Sequence, residues 1–94
     1  MQNIKEISNI IKSLVSDIES VTFFKELLTE SEIDALSKRW RILQLLAQGK
    51  TQREVAKNLQ VSLCNVTRGA KILKDKDSII AKYLIKEIKN EIDK

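Results

Sequence analysis

The sequence predicts an all-α fold of about six short helices, and three observations carry this prediction. The chain has no proline and only two glycines, so few positions interrupt a helix. Apolar residues recur at spacings of three and four through most of the chain. Two capping boxes, at Thr29 and at Thr51, mark helix starts. At this length the chain is expected to form one domain over residues 1–94.

An apolar seam over residues 4–21 predicts a first, long helix. Its members alternate spacings of three and four, which defines an a/d seam; they are Ile4, Ile7, Ile11, Leu14, Ile18 and Val21. Because such a seam packs against another helix, a partner is expected from within the chain or from a second copy. Residues 22–28, TFFKELL, predict a short apolar helix after it.

The next predicted helix starts at the capping box of Thr29 and Glu32 and ends at Gly49. In such a box the threonine oxygen accepts the amide of the glutamate, and the carboxylate reaches back. The inward stripe of this helix consists of Ile33, Leu36, Trp40, Leu43 and Ala47. The place of Trp40 on the stripe indicates core or dimer packing rather than a ligand-binding platform.

A second capping box, Thr51 with Glu54, starts a short helix, and Ser62 is placed to cap the helix after it. Two short helices joined by a tight turn predict a helix-turn-helix. The turn lacks glycine, so Gln60 or a neighbour is expected to adopt a positive φ. Ala56 is small where the two helices must approach closely, and the residues predicted to fix the angle between them are Val55, Leu59, Val61 and Val66.

The last predicted helix begins at Asp77 or Ser78. Its inward residues are Ile80, Leu84, Ile88 and Ile92. The tail at 86–94, rich in glutamate and lysine, is expected to be a solvated helix end.

Charge is concentrated in the middle of the chain. Residues 38–76 hold ten lysines and arginines against two acids, a balance of +8, whereas residues 1–37 hold three lysines against seven acids, a balance of −4. Residues 77–94 balance to zero. All the arginines lie in the basic segment: Arg39, Arg41, Arg53 and Arg68. A basic segment on an otherwise neutral or acidic body predicts a polyanion-binding surface, with a solvated charged surface as the alternative.

The outward residues of the predicted helix-turn-helix suit duplex DNA. The N-terminal part of a second helix faces base edges in the major groove, where asparagine pairs with adenine and an apolar Leu63 or Cys64 meets a thymine methyl. The first helix begins near phosphates. A carboxylate would repel phosphate, which explains why Glu54 is the only acid in residues 51–73. The predicted DNA-binding residues are Thr51, Gln52, Arg53, Lys57, Ser62, Leu63, Cys64, Asn65, Thr67, Lys71 and Lys74.

Several functional classes are disfavoured by composition. Histidine is absent and no cluster has metal-ligand spacing, so no metal is expected. A helical enzyme is disfavoured by the absence of histidine, of a glycine-rich phosphate loop and of an evident carboxylate pair. Charges in the first twenty residues argue against a signal peptide or membrane span. Cys64 is the only cysteine, so the chain can form no internal disulfide, which suggests a protein of the reducing cytoplasm. Cys64 itself is expected to be simply a small side chain and not a redox switch.

These motifs resemble the bacterial tryptophan repressor family. The matching segments are LTESEIDAL at 28–36, RWRIL at 39–43, TQREVAKNL at 51–59 and NVTRG at 65–69. The resemblance covers residues 28–84, and the N-terminal region only in pattern. It implies an intertwined all-helical homodimer, with 1–48 as dimerisation core, 51–75 as helix-turn-helix head and 78–94 as the C-terminal helix of the core.

The resemblance also implies that free L-tryptophan acts as corepressor, after which the dimer binds operator DNA of tryptophan biosynthesis or uptake genes. The indole would stack between two guanidinium groups, one of which also pairs with the ligand carboxylate. The implied corepressor-binding residues are Leu28, Thr29, Arg39, Arg68, Gly69 and Ile72. Gly69 would leave room for the ring. Ile72 departs from the serine of well-known members, and the loop at Gly49 is one residue shorter.

Other functions remain open at this point. A helix-turn-helix regulator without a small-molecule effector shares the DNA-binding head but gives Arg39 no ligand role, and both ligand arginines are then surface cations. A purely structural dimerisation module leaves the +8 segment without a function.

Overall fold

A computed structural model describes the backbone of residues 1–92 and the side chains of residues 1–88. Within this range the chain forms six α-helices and no strand. The helices are α1 (Gln2–Ser13), α2 (Asp17–Leu27), α3 (Glu30–Ala47), α4 (Gln52–Leu59), α5 (Leu63–Lys74) and α6 (Ile79–Ile92). The predicted all-α class is confirmed, and the intertwined dimer core stays a prediction.

The chain divides into two compact units, unit 1 (Met1–Ala35) and unit 2 (Leu36–Lys94). Unit 1 contains no buried residue. Every buried side chain of the described residues belongs to unit 2: Ile42, Leu43, Leu45, Val55, Val66, Ala81 and Leu84. The predicted division by role, into dimerisation core, head and C-terminal helix, stays a prediction.

The predicted single helix over residues 4–21 is wrong, as is the separate helix at 22–28. α1 ends at Ser13, and the chain is extended at Leu14, with φ −76 and ψ 130. α2 begins one residue after Ser16, whose hydroxyl accepts the Glu19 amide at 3.2 Å. The apolar spacing continues across this break, so periodicity alone does not reveal it.

The other helix ends follow the predicted chemistry. Thr29 and Glu32 exchange two hydrogen bonds, at 3.0 and 3.1 Å, as a complete capping box. Thr51 accepts the Glu54 amide at 3.2 Å. The remaining N-caps among the predicted starts are Ser62 and Ser78, whose hydroxyls accept amides at 3.3 and 3.1 Å.

The core of unit 2 is built on α3, α4 and α5. Ile42 and Leu45 from α3 cluster with Val55 from α4 and Val66 from α5, and both valines are fully buried. α6 packs against α5 and contributes Ala81 and Leu84. The predicted inward residue Ile92 lies outside the described side chains.

Trp40 is not enclosed within the chain. Its side chain is 38% exposed and lies at a tilt against Tyr83, with ring centroids 6.3 Å apart. Leu36, one turn earlier on the same predicted stripe, is also exposed. In the described part of the chain, no helix has the length and apolar character needed to cross a membrane.

Candidate nucleic-acid interface and ligand site

The connection between α4 and α5 is a tight turn at residues 60–62. Gln60 adopts the left-handed conformation, with φ 55 and ψ 45, and its amide donates to the carbonyls of Ala56 and Lys57. The Val61 amide also donates to the Ala56 carbonyl, at 3.1 Å. The prediction that Gln60 or a neighbour adopts a positive φ is therefore confirmed. These bonds satisfy the free carbonyls at the end of α4 and redirect the chain into α5.

The inner faces of α4 and α5 hold them together. Val55 and Val66 are both 0% exposed, and Ala56, Leu59 and Val61 pack partly buried against the same cluster. Valine is β-branched and has few rotamers, so these two buried side chains leave α4 and α5 little freedom to move relative to each other. The inward residues of this pair therefore lie where the sequence predicts them.

α5 makes a close approach to α3 at Gly69. A Cβ atom at this position would lie 3.0 Å from Cγ2 of Ile42, and 3.5 Å from a methyl of Leu43 and of Leu46. Gly69 therefore allows these helices to pack closely. The room for an indole ring that the resemblance implies at Gly69 stays a prediction.

The outward side of the α4–α5 pair presents the predicted DNA-binding residues. Gln52 is half-buried, and all the others are exposed: Thr51, Arg53, Lys57, Ser62, Leu63, Cys64, Asn65, Thr67, Lys71 and Lys74. Within residues 51–74 the only carboxylate is that of Glu54, on the first turn of α4. The combined surface is therefore cationic and free to meet a polyanion.

A shallow, open hollow of about 340 Å³ lies along the outer face of α5. Its lining comes from Leu63, Cys64, Thr67, Arg68 and Lys71. These residues follow a helical spacing, so they share one face of α5. The hollow joins predicted base-reading positions to Arg68, which the resemblance assigns to the ligand.

A side-chain hydrogen bond ties the start of α4 to the middle of α5. The Thr67 hydroxyl donates to Oε1 of Gln52 at 3.0 Å. Sequence reasoning missed this pair because the residues are fifteen positions apart and only the packing of α4 on α5 brings them together.

The ligand residues implied by the resemblance fall in both units. Arg39, Arg68, Gly69 and Ile72 belong to unit 2, and Leu28 and Thr29 belong to unit 1. Both arginines are exposed, and Ile72 is half-buried. Arg39 precedes Ile42 by one turn of α3, and Arg68 directly precedes Gly69, where a Cβ atom would lie 3.0 Å from Ile42. Both positions are therefore close in sequence to the place where α3 and α5 approach each other.

Thr29 is already engaged in its capping box. Its amide donates to the Glu32 carboxylate, and that bond together with the Thr29 hydroxyl lowers the pKa of Glu32. Among the described residues, no group of cysteines and carboxylates is arranged to hold a metal ion.

Three comparisons with known proteins bear on this site. The sequence profile of the Trp repressor protein family matches residues 2–88. A Trp operon repressor homolog of Chlamydia trachomatis serovar D is 35% identical over 81 residues, which cover 81% of this chain and 86% of that protein. A homolog of the same name from Xylella fastidiosa is 44% identical over 63 residues, which cover 66% of this chain and 66% of that protein. Another from Chlamydia caviae is 40% identical over 63 residues, which cover 66% of this chain and 62% of that protein. No solved structure matches the chain.

Proposed function

Because the chain belongs to the Trp repressor protein family, we propose that it is a tryptophan-dependent transcriptional repressor that binds operator DNA as a homodimer. The family consists of transcriptional regulators and not of enzymes, so the chain is a Trp-repressor-like regulator. The proposal adds the corepressor, the DNA target in tryptophan biosynthesis or uptake genes, the dimer and a cytoplasmic location. One observation supports it: the exposed Arg68 directly precedes Gly69, where α5 lies close to Ile42 of α3, and the exposed Arg39 lies one helical turn before Ile42.

The DNA-binding part of the proposal rests on the outer face of α5. Its first turn exposes Leu63, Cys64 and Asn65, and its later turns expose Lys71 and Lys74. Short side chains at the helix start reach base edges, while the lysines and Arg53 neutralise phosphates. Recognition helices of a two-fold dimer enter successive major grooves about 34 Å apart, a geometry for which the tryptophan repressor is itself a reference case.

The corepressor part rests on the two arginines. An indole between Arg39 and Arg68 gains cation–π stacking on both faces, and Arg68 also pairs with the ligand carboxylate. The ligand would bridge α3 to α5 and so set the angle of the DNA-binding head. It acts by binding the DNA-competent arrangement more tightly than the others, because only differential affinity shifts a population.

The dimer part rests on the apolar surface of unit 1. Val15, Ile18, Val21 and Leu27 are large hydrophobic residues with more than half of their surface exposed. Solvent exposure of so many neighbouring apolar side chains is unfavourable in an isolated protein. A second copy that interlocks with this surface would remove it from water.

The decisive experiment is calorimetric titration of the protein with L-tryptophan, with tryptamine and indole-3-propionate as ligands that lack the carboxylate or the amine. We expect saturable binding of one L-tryptophan per chain, weakened in both analogues. In a second step, the duplexes that the protein binds are selected from a pool of random sequences in the presence of L-tryptophan. Binding to these selected duplexes is then measured with and without L-tryptophan, and tryptophan is expected to increase it.

Two arginine variants localise the site. Arg39→Ala and Arg68→Ala should each weaken tryptophan binding by about ten- to a hundredfold, the range of a lost charged contact. Arg41→Ala is the matched control, because Arg41 is exposed on the same helix and bonds only weakly to Gln44, at 3.4 Å. Equal losses in Arg41→Ala and Arg39→Ala would remove the site assignment. DNA binding without any response to tryptophan would instead indicate a regulator without this effector.

A further inference from the structure

We infer that Thr67 is a positioning residue: it holds the Gln52 carboxamide so that its N–H groups point outward as donors for a DNA phosphate. The inference rests on the proposed DNA-binding function and sharpens it, because it gives Thr67, so far only one of the predicted DNA-binding residues, a role in setting a phosphate contact. The observation behind it is the 3.0 Å bond from the Thr67 hydroxyl to the Gln52 oxygen.

The direction of this bond decides what the DNA meets. A carboxamide has one oxygen acceptor and one NH₂ donor. With the oxygen occupied by Thr67, the NH₂ group is the part left to face outward. The opposite orientation would place a carbonyl oxygen before a phosphate oxygen, and two acceptors repel. A hydroxyl that donates to Gln52 therefore selects the orientation that binds phosphate.

The position of Gln52 fits this role. It is the first residue of α4, next to the Thr51 cap, where backbone amides and the helix dipole favour an anion. Gln52 is half-buried, so its side chain has less freedom than its exposed neighbours. Arg53 follows it and supplies an exposed cation for the same backbone.

The bond also couples two functions of the head. A phosphate held at the start of α4 fixes α4 on the duplex, and the Gln52–Thr67 bond transmits that position to α5. Asn65, one half-turn before Thr67, stays in place on α5 without this bond, because the buried Val55 and Val66 hold α5 against α4. Loss of the bond should therefore lower affinity for every duplex without changing which base pair is preferred.

The test is a double-mutant cycle on duplex binding with Thr67→Val, Gln52→Ala and the double variant. Valine keeps the β-branched shape of threonine and replaces the hydroxyl with a methyl group. The probes are a duplex selected by the wild-type protein and an unrelated duplex of equal length, both with saturating L-tryptophan. Each single variant should bind both duplexes about three- to tenfold more weakly, and the double variant no more weakly than the poorer single variant.

Three controls separate positioning from base reading. Thr67→Ser keeps a hydroxyl and should restore most of the binding. Asn65→Ala, also exposed on α5, should lower the ratio of selected to unrelated affinity and combine additively with Gln52→Ala. In free protein, ¹⁵N NMR should show the Gln52 side-chain NH₂ signals shifted by Thr67→Val and unmoved by Asn65→Ala.

The outcomes distinguish this inference from the proposed function. Additive losses in the Gln52–Thr67 cycle, or a changed base preference in Thr67→Val, overturn the positioning role while DNA binding stands. Wild-type protein that binds no duplex overturns the proposed function and this role with it.

Discussion

Unit 1 and unit 2 have similar apolar sequence patterns, but these apolar side chains are exposed in unit 1 and buried in the core of unit 2. In unit 1 the seam residues Ile18 and Val21 are 79% and 52% exposed, whereas Val55 and Val66 of unit 2 are 0% exposed. Their net charges are opposite as well, −4 for residues 1–35 and +8 for residues 36–94, because most of the lysines and arginines lie in the second range. Periodicity therefore identifies which face of a helix is apolar, but it does not say whether the chain itself covers that face.

The largest expected effect comes from removing packing in unit 2. Leu84 is 3% exposed on α6, so Leu84→Ala should lower the free energy of unfolding by about 2–5 kcal/mol, since it leaves a cavity. Its neighbour Ile85 is 54% exposed, so Ile85→Ala should cost about 1 kcal/mol or less. Urea denaturation of both variants measures the difference. Equal losses would mean that burial within the chain does not distinguish these positions.

The next effect concerns the exposed seam of unit 1. If a second copy covers Ile18, Ile18→Lys places two charges in one symmetric interface and should weaken dimerisation by about a hundredfold. Sedimentation equilibrium across a range of protein concentrations measures the dissociation constant. Glu26→Lys, on the same helix but outside the seam, is the control and should dimerise normally. An unchanged dissociation constant for Ile18→Lys would mean that a second copy does not cover this face.

A smaller effect tests the charge contrast between the units. Arg53→Ala should weaken binding to selected and unrelated duplexes alike, by about tenfold, and reduce the magnitude of the salt slope by about 0.9 because one phosphate contact is lost. Lys25→Ala removes a cation from unit 1 and should leave the slope unchanged. Fluorescence anisotropy over a series of salt concentrations gives both slopes. The same slope in wild-type and Arg53→Ala protein would place Arg53 away from the DNA.

The smallest effect is a pH dependence in unit 1. The Thr29 amide and hydroxyl lower the pKa of Glu32. A carboxylate whose pKa is lower in the folded state stabilises the fold above its unfolded pKa, and this contribution disappears as the pH falls through the folded value. Glu32→Gln keeps a capping oxygen but does not titrate there. The melting temperatures of the wild-type protein and Glu32→Gln should therefore differ at neutral pH and converge in acid. A difference in melting temperature that stays the same at every pH would contradict this.

Local chemistry made most of the fold predictable. Caps at Thr29, Thr51, Ser62 and Ser78, and the positive φ at Gln60, each depend on a few neighbouring residues that the sequence displays. The break between α1 and α2 was also visible, because Ser16 and Glu19 have the spacing of a capping box. The regular apolar seam outweighed that signal, although a seam can continue across two helices.

The candidate site was predictable in composition and less so in contacts. The sequence identified the outward residues of α4 and α5, since a helical period places them on one side. It could not show the bond between Gln52 and Thr67 or the contact of Gly69 with Ile42, because both depend on how separate helices pack. The roles of the ligand residues in both units stay predictions.

The contact at Gly69 limits how this gene can change. Every single-base missense change in a glycine codon introduces a side chain with a Cβ atom, and here that atom would lie 3.0 Å from the buried Ile42. Every missense change at codon 69 therefore requires Ile42 or α5 to shift by a few tenths of an ångström. Codons 63 to 65, on the exposed start of the same helix, are under no such restriction. Substitutions at codons 63 to 65 can thus accumulate in descendants of this gene with less effect on the packing of α5 than any substitution at codon 69.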